Sequence, residues 1–189
     1  MAGAAGLTGA GLVRPATALS ATTAGAPATA SERVARLLGV EMLLHFCYQH
    51  VIASPLLTPR QRRALVPLRG NEEAHVKALR AALKNLGGRP PYGPVSVGQA
   101  NQALAHRKVG GRLDELKGSK DALYLLLAVE RVAVGAYFVA LAKLENPSLM
   151  TLMAEIMAND AQHEAMIGEL LYPTRPGAAV PYGLVQGVQ

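Results

Sequence analysis

The 189-residue chain has one cysteine, Cys47, no tryptophan, two phenylalanines and six tyrosines. A lone cysteine excludes an intrachain disulfide, a CxxC redox pair and a cysteine-cluster zinc or iron site. Charge is sparse as well, 17% of residues against 50% hydrophobic, which excludes a wholly disordered chain and leaves apolar surface for a core. A length of this order suits a single domain. No segment alternates apolar and polar residues with period two, so strands are not expected. The charge that is present leans basic, 19 Lys and Arg against 13 Asp and Glu for a net +6, with a pI near 9.7. Such a balance points to nucleic acid only where the basic residues cluster. The nearest cluster is Arg60, Arg62 and Arg63, with no aromatic interleaved for base stacking, and no nucleic-acid partner is expected.

Residues 1–30 are almost wholly Ala, Gly, Thr, Leu and Pro, carry Arg14 as their one charge, and show no helical or strand period. Ala2 to Val13 is uncharged and weakly apolar, and Ala28-Thr29-Ala30 is a small-x-small site before Ser31, as in the later parts of a secretory signal. The basic start is missing. The composition is similar to a twin-arginine signal whose Arg-Arg region would lie upstream of Met1. Export is the expected location, with a cytoplasmic protein carrying a low-complexity leader as the alternative.

From Ser31 apolar residues recur at steps of three and four, a helical period. Segment A runs from Ser31, read as its N-cap, to Ser54 before Pro55. Segment B opens on Thr58-Pro59, an N-cap followed by an N1 proline, and closes at Gly87-Gly88; Pro67 and Gly70 are expected to kink it. Segment C runs from Ser119 to about Leu144, and segment D from Asn146-Pro147 to Pro173. A few residues join A to B and C to D, whereas about 30, Gly87 to Gly118, separate B from C. Short links make antiparallel hairpins and the long one can run the length of the bundle, so the predicted fold is all-α, a four-helix bundle with one long B–C crossover. A short helix around Val97 to Ala105 is expected within the crossover, and residues 173–189 form a Pro/Gly-broken tail that either docks on a partner or frays. C is strongly apolar, but Glu130-Arg131 sits at its centre and Glu41, His45 and His50 interrupt A, so helices of a bundle are expected rather than membrane spans.

Each apolar stripe is broken near its middle by an acid: Glu41, Glu72, Glu130 and Asp160. Two of these acids have a histidine three residues on, Glu72 with His75 and Asp160 with His163, and positions i and i+3 share a helix face. All four acids lie at similar depth in their helices, roughly 15–20 Å from the start at 1.5 Å per residue. In antiparallel hairpins only midpoints stay level, so four carboxylates and two imidazoles are expected to meet inside the bundle. Burying such charge without compensation costs several kcal/mol per group. Two divalent ions would neutralise the four carboxylates, with some carboxylates bridging and the imidazoles end-capping. With 13 acids and 5 histidines in the chain, chance supplies about a third of one acid-x-x-His pair. Two such pairs on two seams, with lone acids on the other two, make Glu41, Glu72, His75, Glu130, Asp160 and His163 candidate metal ligands for two Fe or Mn ions.

His45 lies one turn after Glu41 and reads either as a partner of the site or as a satisfied core residue. Tyr48 and Tyr137 stand seven residues after Glu41 and Glu130, facing the same interior, where they could bond ligand carboxylates or relay electrons; buried amphipathic aromatics with a bonded hydroxyl need no such role. Glu73, Glu155 and Glu164 fall off the seams and are expected to be solvated, and Cys47, Met150, Met153, Met157 and Met166 to serve in packing.

Residues 31–172 resemble the ferritin-like domain family that includes bacterial stress-associated and plant desiccation-related proteins, most closely through NEEAHVKALRAALKNLGGRPP (71–91) and LAVERVAVGAYFVALAKLENPSLMTLMAEIMANDAQHEAMI (127–167). The resemblance implies Glu41, Glu72, His75, Glu130 and His163 as ligands, whereas Asp160 departs from the usual Glu and is one methylene shorter. Ligand type then suggests a di-iron or manganese protein that reacts with O2 or peroxide, or takes up and oxidises Fe(II); the catalytic alternative is an oxidoreductase of peroxidase or ferroxidase type. The other reading is a stress or desiccation-associated structural protein whose metal only stabilises the bundle. A homo-oligomer is compatible with either.

Overall fold

The computed structural model describes residues 28–175 and residue 177. The expected leader and C-terminal tail lie almost entirely outside the described residues. Five helices follow in order: α1 (Ala30–Ala53), α2 (Pro59–Asn85), α3 (Val97–His106), α4 (Ser119–Leu141) and α5 (Pro147–Leu171). No strand occurs among the described residues. The four long helices are segments A to D, and α3 is the short helix of the crossover.

Helix ends follow local chemistry. Thr29, not Ser31, caps α1: the Glu32 N–H donates to Thr29 Oγ1 at 3.1 Å and the Thr29 N–H donates to the Glu32 carboxylate at 2.7 Å. A Thr-x-x-Glu box satisfies two backbone donors at once, which a cap at Ser31 with no acid three residues on could not do. Thr58 and Gln61 repeat the device before Pro59 at the start of α2. α2 stays helical through Pro67, whose ring lies on the exposed side. It stops where Gly87 takes φ +68°, with the Gly88 N–H donating to the Leu83 carbonyl at 2.9 Å and the Gly87 N–H to that of Lys84 at 3.0 Å. That pair of bonds is a Schellman ending, and the left-handed residue favours glycine.

α1 pairs with α2 and α4 with α5 as hairpins; α1 faces α4, α2 faces α5, and α3 lies against α1. The crossover is pinned at Asn101, which accepts from the Leu113 N–H at 2.8 Å and donates to Asp114 at 2.8 Å. Apolar packing forms two layers. One gathers Leu44, Cys47, Val51, Leu65, Leu68, Leu123, Leu126 and Ile167; the other gathers Val34, Leu37, Leu38, Leu79, Leu83, Met153 and Ile156. On α2 and α5 the sequence passes from one layer to the other at the acid that interrupts the stripe; on α1 the layers overlap around Glu41, with Val40 in the first and Met42 in the second, and on α4 the first layer runs on to Ala133. α4 is long and apolar enough to cross a membrane, with hydropathy 1.7 over a window that is 50% buried. Its Glu130 is wholly buried among the other helices, the position of a bundle's inner helix rather than of a lipid-facing one.

Candidate metal centre

Between the two apolar layers, each long helix sends in the acid that broke its stripe. Glu41, Glu72, Glu130 and Asp160 are 0% exposed, His163 1% and His75 8%. Equal depth in antiparallel helices brings them level, as the register of the interruptions requires. His75 Nδ1 lies 3.3 Å from Glu41, 3.6 Å from Glu72 and 3.4 Å from Asp160. His163 Nδ1 lies 2.8 Å from Glu72 and 3.2 Å from Glu130. The two imidazoles stack with centroids 6.1 Å apart and planes inclined at 23°.

The donors fall into two groups able to hold a metal ion: Glu41, Glu72, His75 and Asp160 in one, Glu72, Glu130, Asp160 and His163 in the other, with the donor atoms of each group within 4.8 Å of one another. Glu72 and Asp160 belong to both. The two donor groups correspond when α1 is paired with α4 and α2 with α5: Glu41 matches Glu130 and the Glu72/His75 pair matches Asp160/His163. The tyrosines obey the same relation. Tyr137 on α4 donates to Glu41 on α1 at 2.6 Å, and Tyr48 on α1 donates to Glu130 on α4. Each phenol thus crosses to the opposite hairpin.

Charge balance in this space is poor without a cation. Both oxygens of Glu72, both of Asp160 and Oε2 of Glu130 are buried and accept no hydrogen bond. The imidazole nitrogen 2.8 Å from Glu72 is near enough for attraction but lies off the hydrogen-bond direction. Unpaired buried acceptors of this kind call for a proton or a metal. Protons answer in the metal-free protein: burial, with the Glu41 charge next in effect, pushes Asp160 up to about 11, and burial with Glu72 beside it pushes Glu130 up to about 8. Burial likewise raises Glu72 well above the ordinary carboxylate range. Burial alone would lower His75, but the Glu41 and Glu72 carboxylates outweigh it and raise the imidazole to about 10. Burial and the facing carboxylates also hold both tyrosine hydroxyls protonated far above their usual range. A donor set of carboxylates and imidazoles with oxygens left over can hold a metal ion.

His45 does not join the cluster. It sits half-buried in a crevice of about 380 Å³ on the outer side of α1 and α2, with Met42, Glu73, Lys77 and Arg80. Seven residues along a helix return Tyr48 to within ~20° of Glu41, whereas His45, four residues on, faces this crevice. Glu164 is also not where its position off the seam suggested. It is 4% exposed, with Arg131 Nε at 3.4 Å, because α5 packs closely enough on α4 to cover the residue after His163. Glu73 and Glu155 are exposed as expected, Cys47 and Met153 are buried, and Met157 is half-buried. Met150 and Met166 are 39% and 42% exposed on the outer face of α5 and do not serve in packing. Of the basic cluster, Arg62 donates to the Ser54 carbonyl at 2.7 Å and so closes the end of α1.

Asn71 went unnoticed in the sequence. Its side-chain amide lies 3.1 Å from Nε2 of His163. A signal was available, since both acid-x-x-His pairs are preceded by asparagine, Asn71 and Asn159.

A family model described as a ferritin-like domain matches residues 20–173. No curated protein matches the chain.

Proposed function

The chain belongs to the ferritin-like domain family, and from that membership and the buried donor cluster we propose that it binds two Fe or Mn ions and uses them to handle O2, peroxide or Fe(II). One observation carries this: Glu72 and Asp160 are each shared by both donor groups, and none of their four oxygens accepts a hydrogen bond. These two residues would serve both ions, while Glu41 and His75 would hold one and Glu130 and His163 the other. Two Fe(II) ions held there would supply two electrons, enough to reduce one hydrogen peroxide to two waters, or one O2 to hydrogen peroxide, with uptake of two protons in either case.

The protein's own groups set the conditions for that chemistry. Tyr48 and Tyr137 hold the end carboxylates in place through their hydroxyls. The apolar layers above and below exclude water and strengthen every electrostatic contact between them. Asp160 is one methylene shorter than a glutamate, so its carboxylate would hold a metal from closer to the backbone of α5.

Metal analysis after anaerobic loading with Fe(II) is expected to give about two ions per chain. Glu72→Ala, which removes a donor from both groups, should abolish the binding; unchanged metal content in that variant overturns the assignment. A second reading, a stress-associated structural protein whose metal only stabilises the bundle, is favoured by the complete burial of the four acids. Peroxide and O2 consumption by the loaded protein, compared with an equal amount of free Fe(II), separates the two. Faster turnover supports redox work, and thermal stabilisation without turnover supports the structural role.

A further inference from the structure

The correspondence between the two halves of the cluster fails at the asparagines. Each acid-x-x-His pair is preceded by an asparagine on the same helix, Asn71 before Glu72 and Asn159 before Asp160. By that correspondence, each should reach across to the histidine of the other helix. Asn71 does so, its amide standing 3.1 Å from Nε2 of His163. Asn159 instead turns outward and donates to Gln162 at 3.5 Å. The exposure of the two imidazoles follows suit, 1% for His163 and 8% for His75.

Both histidines turn Nδ1 toward the carboxylates. An imidazole that binds a metal through Nδ1 carries its proton on Nε2, and that proton needs an acceptor which fixes the ring and raises its basicity. At His163 a 180° rotation of the Asn71 amide supplies one, because it exchanges the oxygen and nitrogen positions at the same distance. At His75, which is 8% exposed, the one hydrogen bond among the described residues is made by Nδ1, and no side chain is bonded to Nε2.

Resting on the functional reading above, we propose that Asn71 is a positioning residue that makes the two metal positions unequal. By accepting the Nε2 proton of His163, it fixes that ring and makes the Glu72, Glu130, Asp160 and His163 position the tight one. The Glu41, Glu72, His75 and Asp160 position, whose histidine is the more exposed of the two and has no side chain bonded to Nε2, is the exchangeable one through which ions enter and leave.

Calorimetric titration of the metal-free protein with Co(II) tests this, because each position is read from binding alone. The wild-type chain should take up two ions in two resolved steps. Asn71→Leu should weaken the tighter step roughly 10–100-fold and leave the weaker one in place; Asn71→Ala serves if the leucine does not fit. Asn71→Asp, which keeps an acceptor facing Nε2, should retain the tighter step, and Asn159→Leu should change neither. Two equal steps in the wild type overturn the inequivalence while leaving the two-metal reading intact. Weakening of both steps by Asn71→Leu and Asn71→Ala, or of neither, also overturns it, the first because it marks a general disturbance of α2. Failure of the wild type to bind Co(II) removes both this proposal and the functional reading beneath it.

Discussion

The metal-free protein should lose stability as the pH rises from about 5 to 8, which is the opposite of ordinary acid denaturation. Glu130 is raised from 4.5 to about 8 and Asp160 from 3.8 to about 11, in both cases chiefly by burial. A carboxyl raised in this way contributes stability that is fully present below its unfolded value and is lost as the pH climbs toward its folded one. Over most of this window the folded chain therefore holds about two protons that the unfolded chain has released, the one on Glu130 leaving as the pH reaches about 8. Each such proton costs ~1.4 kcal/mol per pH unit, so the pair removes on the order of 2–3 kcal/mol per unit, a large part of a typical stability of 5–15 kcal/mol. His75, raised to about 10 by its carboxylate neighbours against the effect of burial, adds in the same direction above pH 6.5. For a bundle of this size the melting temperature should fall by about 5–10 °C per pH unit. Divalent metal displaces the same protons, so the gain in melting temperature on metal loading should widen with pH. Thermal melts followed by circular dichroism at pH 5, 6, 7 and 8, with chelator and with metal, measure both slopes. A metal-free melting temperature that rises across this range, or a metal gain independent of pH, would refute the assignment of protons to the cluster.

Other residues give independent checks. Tyr137→Phe removes the hydroxyl that donates to Glu41 at 2.6 Å; a loss of ~1–3 kcal/mol in the metal-free protein is expected by denaturant titration, and an unchanged midpoint would count against that bond. Cys47 is 0% exposed, and burial pushes its thiol up to about 12. It should resist a thiol reagent at pH 8 until denaturant is added, and rapid labelling of the folded chain would contradict its placement. A methyl group at Gly88 would come within 2.2 Å of Ser31 Oγ and 2.3 Å of Leu83 Cδ1. Gly88→Ala should therefore cost ~1–3 kcal/mol, read as a lowered melting temperature, and a neutral result would show that the start of α1 and the end of α2 are not in contact.

The repeat of apolar residues, the interrupting acids and the uneven link lengths made the bundle and its six inward donors legible along the chain, because each depends only on spacing within one helix. The cap of α1 was displaced from Ser31 to Thr29 by a pairing across three residues that composition alone does not rank above its neighbour. Glu164 illustrates a different limit. Its angle on α5 places it beside the seam, and only the closeness of α4 and the Arg131 side chain decide that it is covered. His45 shows the converse, a residue one turn from Glu41 that faces an outer crevice with Glu73 and Lys77 and not the cluster.

The sequence by itself determined that four carboxylates and two histidines enter one bundle at one depth, since a helix converts residue number directly into angle and height. Only the tertiary structure decided which donors are shared, that Tyr48 and Tyr137 each cross to the other hairpin, and that Asn71 reaches His163 while Asn159 turns away. Those relations depend on the distance and rotation between helices, which the packing of the two apolar layers sets and no spacing along one helix encodes.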